Sequence, residues 1–156
     1  MEFSRFKNIN RGVIIVIILT IIAVALTCTT FASLSVSQKV SSSGTINVSP
    51  NLSVYSDIYC QNKLSTINWG SITPGGTITR VLYVKNTGNG SSLELSMSTS
   101  SWNPTRANGP ITISWDQKGT KLAPGQSVAA TLKLTASSTI TDITNFNVQV
   151  TITGTK

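Results

Sequence analysis

The chain has 156 residues, of which only 11% are charged, and its 12 Lys or Arg against 5 Asp or Glu give a formal charge of +7. It contains no His and two Cys, which excludes imidazole-based acid–base catalysis and the usual zinc sites. Once the apolar N-terminal block is set aside, there is room for one domain of β-sandwich size. Ser and Thr hydroxyls there do the solubilising work that charge does elsewhere.

Residues 1–11 form a basic lead-in, with Arg5, Lys7 and Arg11. Residues 12–34 are uncharged, and about 20 apolar residues at a helical rise of 1.5 Å span a bilayer. Cations precede this segment and none follows before Lys39, so the positive-inside bias predicts a cytoplasmic N-terminus and a C-terminal domain on the extracellular side. Three fates fit the segment. It can remain as a membrane anchor, be cut as a secretory signal between Ala32 and Ser33, or be cut as a prepilin-type leader between Gly12 and Val13. The apolar run stops near Leu26 and polar Thr27–Thr30 follow, which favours anchor or signal over a pilin helix.

Residues 35–50 read as a Ser/Thr-rich stalk. Two extended pieces, Leu34–Val40 and Thr45–Val48, flank a flexible break at Ser41-Ser42-Ser43-Gly44. The stalk is either a linker leading to a first strand or a free donor strand for a neighbouring sheet.

From residue 51 to 156 the period is two. Strands are expected at Leu52–Tyr55, around Ile67 and Trp69, and over Thr77–Lys85, with Val81 to Val84 buried on both faces. Further strands alternate through Leu93, Leu95 and Met97; Ile111, Ile113 and Trp115; Val128 to Leu134; and Phe146 to Ile152. Turn chemistry separates them at Asn86–Gly90 and Asp116–Thr120. The run Ile72-x-Pro74-Gly75 recurs as Leu122-x-Pro124-Gly125, each predicting a type II turn before a long strand. No helical period follows residue 34. The expected fold is all-β, a single immunoglobulin-like β-sandwich of seven or eight strands preceded by one N-terminal hydrophobic helix.

The runs INWGSITPGG, VLYVKNTGN, LELSMSTSSWNP, ITISWDQKGTKLAPG and ITDITNFNVQVTITG resemble a group of archaeal exported proteins. These carry an N-terminal hydrophobic segment and one immunoglobulin-like domain. The likeness covers Leu52–Gly154 and rests on Trp69, Pro74, Asn86, Gly88, Trp102, Pro104, Trp115, Pro124 and Phe146. More distantly, the layout is similar to camelysin-like biofilm-fibre subunits and archaeal bundling-pilus subunits. That resemblance implies an extended segment pairing into the next subunit.

The residues offer little chemistry. Four acids of the domain, Asp57, Glu94, Asp116 and Asp142, are far apart in sequence and read as strand-face or turn residues. No catalytic residue, cofactor or metal site is expected, although a sandwich that joined Asp57 to Asp142 would make a weak ion site. Cys60 reads as a small buried hydrophobe with no disulfide partner. Cations such as Lys63, Arg80, Arg106 and Lys133 stand singly, so no nucleic-acid partner is expected. Trp69 and Trp115 fall in phase with core residues. Core burial is the stronger reading for all three Trp, and Trp102, beside Asn103-Pro104 at a strand end, is the one candidate for an exposed aromatic. Sequons place candidate N-glycans at Asn47, Asn51 and Asn89, whereas Asn103-Pro104-Thr105 is barred by its proline.

The expectation is a non-enzymatic cell-surface structural or adhesive protein. It sits at the membrane through residues 12–34 and forms a homo-oligomer or filament by strand donation from the stalk. The alternative is a monomeric membrane-anchored module that binds carbohydrate or protein.

Overall fold

The computed structural model describes residues 39–156. The expected hydrophobic helix, both leader junctions (Gly12/Val13 and Ala32/Ser33) and the first residues of the stalk lie outside the described residues.

Nine strands occur among the described residues: β1 Val40–Val48, β2 Leu52–Tyr55, β3 Thr66–Ile72, β4 Thr77–Asn86, β5 Leu93–Asn103, β6 Ile111–Trp115, β7 Lys121–Leu122, β8 Ser127–Ala136 and β9 Asn145–Thr155. They form two sheets, ordered β3-β1-β9-β5-β7 and β2-β4-β8-β6. The fold is all-β and sandwich-like. The count exceeds the expected seven or eight because the stalk contributes a full strand and Lys121–Leu122 pairs briefly with the start of β5.

The alternation read from the sequence sets the two inner faces. Phe146, Val148, Val150 and Ile152 of β9 are buried, as are Leu93 and Leu95 of β5, and Leu82, Val84, Leu132 and Leu134 of β4 and β8. These large side chains fill the space between the sheets, and each contributes roughly 1.5–3 kcal/mol on leaving water. The outer face of the five-stranded sheet carries Ser41, Ser43, Thr45, Ser96, Ser98, Asn147 and similar residues, so hydroxyls and amides meet solvent.

Both Pro-Gly runs form the expected turns. Gly75 and Gly125 have φ of 76° and 77°, and Gly76 and Gln126 donate to the carbonyls of Thr73 and Ala123 at 2.9 and 3.1 Å. Strands β4 and β8 are antiparallel neighbours, Thr77 opposite Thr135 and Lys85 opposite Ser127. The two turns therefore cap opposite ends of one strand pair, and the internal echo is a local twofold.

Four expectations need correction. Ser41–Gly44 is not a flexible break but the middle of β1. Strand β4 is not buried on both faces, since Val81 is 54% exposed; it points out opposite Thr131, where no further layer covers it among the described residues. Cys60 is half-buried in a loop at φ 54° rather than packed in the core. Trp102, the candidate for exposure, is 8% exposed and stacks on Phe146 with centroids 5.8 Å apart. Its inward turn has a local cause. Plain alternation from Leu93 would turn residue 102 outward, but a bulge between Ser100 and Asn103, with Ser101 at φ 52°, shifts the phase by one.

Candidate functional site

The feature that sets this sandwich apart is the seat of its first strand. Strand β1 lies inside the five-stranded sheet, antiparallel to β3 on one side and parallel to β9 on the other. Strand β3 has no other ladder partner among the described residues. Taking β1 away would leave an open slot between β3 and β9, bordered by unpaired main-chain groups on both walls.

The side chains of β1 suit that slot without dominating it. The inward row is Val40, Ser42, Gly44 and Ile46, small for an interior strand. Gly44 lies in a crowded place: a Cβ there would sit 3.2 Å from both the Trp69 indole nitrogen and the Val148 carbonyl oxygen, so a side chain would press on them. The Trp69 ring is wholly buried beneath β1, and its N–H finds no acceptor among the described residues. The strand is held chiefly through its backbone. Ser41 donates to Thr144 O at 3.1 Å, Ile46 to Ser65 O at 2.8 Å and Ser49 to Ile152 O at 3.1 Å. On the outer face the Ser43 hydroxyl donates to the Asn147 carboxamide oxygen.

A second device holds the far wall of the slot. Arg80 of β4 reaches across to β3, its Nε donating to Asn68 O at 3.0 Å and its Nη2 to Trp69 O at 2.8 Å, while Nη1 bonds Thr79 O at 2.9 Å. A guanidinium fork is suited to gripping several carbonyls at once. It ties the edge strand β3 to the opposite sheet independently of β1, and it covers carbonyls on an edge that would otherwise invite pairing. The sequence shows Arg80 as one scattered cation; only the register of two sheets reveals its role.

The remaining candidates disperse. Asp57 organises its own loop: its carboxylate accepts the N–H of Asn62 at 2.7 Å and of Gln61 at 3.2 Å. The Asn62 main-chain N–H, with Gln61 adding to it, holds the Asp57 carboxyl below its ordinary range. Asp116 accepts from the Thr131 N–H at 2.9 Å, Asp142 pairs with Arg106 at 3.0 Å on the exposed surface, and Glu94 faces solvent. No group of three His, Cys, Asp or Glu gathers among the described residues.

Asn47, Asn51 and Asn89 are all exposed. Asn51 and Asn89 line one shallow cleft, and Asn47 is the penultimate residue of β1. Ser43, Thr45, Ser101, Asn147, Val148 and Gln149 line a separate groove of about 320 Å³ on the outer sheet face, where Ser100 and Ser101 donate to Gln149 Oε1 at 3.2 and 3.1 Å. No protein-family model and no curated protein matches the chain.

Proposed function

We propose that this is a non-enzymatic cell-surface subunit that assembles into filaments by exchanging β1 between copies. The observation that carries the reading is the seat of β1: the first strand of the domain occupies an interior slot and is followed by only Ser49, Pro50 and Asn51 before β2. Opening at that connection frees the strand to fill the same slot in a neighbour, with every ladder bond remade in trans. Each copy then donates a strand and receives one. Such head-to-tail exchange does not close on itself unless the rotation happens to close a ring, and so it propagates as a fibre.

The finer fold reading is an immunoglobulin-like sandwich, supported by two facing sheets of alternating strands. Residues 12–34 would hold the subunit at the membrane, with the sandwich on the extracellular side. The absence of His from the sequence and the local structural contacts of Asp57, Asp116 and Asp142 support a role without catalysis. The alternative of a sugar-binding module loses its aromatic platform, because Trp102 is packed against Phe146.

A reversible lock tests the reading. Thr45 and Thr66 are directly opposite, and the Ile46 N–H to Ser65 O bond beside them marks a non-hydrogen-bonded pair, the kind with Cα atoms about 4.5 Å apart. In a Cys28→Ser, Cys60→Ser background, T45C/T66C oxidised as a monomer should yield no filaments, and reduction should restore them. Filaments growing from the fully oxidised monomer would contradict strand exchange.

A further inference from the structure

The three sequons are scattered in sequence but meet at one pole of the sandwich. Strand β1 runs from Val40, opposite Ile72, to Val48, opposite Ile152. At about 3.3 Å per residue its nine residues put the two ends about 26 Å apart. Asn47 lies at the Val48 end, and Asn51 follows four residues after it. The Asn51 carbonyl accepts the Thr87 N–H at 2.8 Å, which brings the β4–β5 loop, and with it Asn89, to the same place. Gly88 makes the approach possible, since a Cβ there would lie 3.0 Å from that of Asn51. The opposite end of β1 is Val40.

The loop bearing Asn89 is built to present it. Asn86 is fully buried and spends its carboxamide on the loop: Nδ2 donates to Ser91 O at 3.0 Å and to Leu122 O at 2.9 Å, while Oδ1 accepts from the Gly88 N–H at 3.0 Å. Asn89 and Gly90 are held out at the tip, exposed. The Asn89 carboxamide and the Ser91 hydroxyl make no hydrogen bond among the described residues, so both recognition elements of the sequon are available. The other two are less so. Ser53, the hydroxyl of the Asn51 sequon, lies in β2 opposite Lys85. Ser49, the hydroxyl of the Asn47 sequon, accepts the Gly154 N–H at 3.0 Å, and Asn47 itself is fixed in the β1–β9 ladder.

We infer that this pole is a site of N-linked glycosylation, with Asn89 the first acceptor, Asn51 the second and Asn47 the poorest. The donor is an oligosaccharide activated as a lipid-linked phosphate ester. The Asn89 Nδ2 forms a bond to C1 of the first sugar and gives up a proton. The C1–O bond to the phosphate breaks, and the lipid phosphate departs with the bonding pair. The sugars clothe the pole opposite the Val40 end of β1 and leave the outer face of the five-stranded sheet bare.

The inference rests on the extracellular reading, and two measurements on full-length protein in its own cells keep them apart. Intact-mass spectrometry of wild type should exceed the polypeptide mass, and Asn89→Gln and Ser91→Ala should each lose the same single increment. Ser91→Thr, which preserves the sequon, should retain it. Labelling of lysines by a membrane-impermeant reagent reports exposure separately. A surface-labelled chain at bare polypeptide mass, or an Asn89→Gln chain that keeps the full wild-type increment, overturns the glycan assignment alone. A chain shielded from the reagent overturns the extracellular reading on which it rests.

Discussion

Strands β1 and β9 lie side by side and parallel, yet they are held in opposite ways. Strand β9 is anchored by its side chains: Phe146, Val148, Val150 and Ile152 are each at most 2% exposed, and the strand has ladders on both sides, to β1 and β5. Strand β1 offers Val40, Ser42, Gly44 and Ile46 to the same interior. It is anchored mainly by backbone hydrogen bonds, which any chain in the same register can supply. A strand held by its core cannot leave without unfolding the domain. One held by its ladder can be replaced by an identical strand from another copy at little net cost.

The largest test of that contrast strikes the core strand. Phe146→Ala removes the ring beneath Trp102 and should destabilise the isolated domain by about 3–5 kcal/mol, read as a lower urea midpoint, while Ser42→Ala in β1 should change it by less than ~1 kcal/mol. A comparable loss from both would mean that β1 is a core strand after all.

Next is the seat itself. Gly44→Val drives a branched side chain against the Trp69 indole and the Val148 carbonyl, an overpacking that costs about 1–3 kcal/mol. Because a swapped strand meets the same contacts, assembly measured by sedimentation should fall along with monomer stability.

A smaller effect is expected at the wall. Arg80→Ala frees the carbonyls of Asn68 and Trp69 and should cost on the order of 1 kcal/mol, given the exposure of the guanidinium. Its signature is local: amide exchange should quicken in β3 and not in β9. Arg80→Lys should recover only part of the protection, since an ammonium cannot reproduce the fork.

The smallest effect concerns the Asp57 loop, away from both strands. Its carboxyl is held below the ordinary value of 3.8 by the Asn62 N–H. A depressed folded-state value means that the carboxylate's contribution is fully present above the unfolded value and is lost as pH falls through the folded one. The Asn62 amide resonance should therefore titrate with a midpoint below the ordinary carboxylate value of 3.8, and Asp57→Asn should abolish that titration.

How much of this was legible follows from the same contrast. The inward row of β9 alternates large apolar residues with Asn147, Gln149 and Thr151, a period-two signal that survives in any reading of the sequence. The inward row of β1 contains Ser42 and Gly44, which erase the hydropathy alternation and mimic a linker. The crowding at Gly44 comes from Trp69, distant in sequence. Trp102 misleads for a related reason, because the bulge at Ser101 shifts the phase by one residue and nothing in the local composition announces it. Arg80 is invisible until two sheets are in register. The sequons were legible at once, but their meeting at one pole required the direction of β1 and the course of the β4–β5 loop.

The exchange of β1 is tested most directly by mixing two single-cysteine variants, T45C and T66C, each in the Cys28→Ser, Cys60→Ser background. If β1 of one copy fills the slot of another, oxidation of assembled filaments should yield a covalent dimer joining one T45C chain to one T66C chain, identified by peptide mass. Filaments that assemble from the mixture and oxidise without forming that mixed dimer would contradict the account.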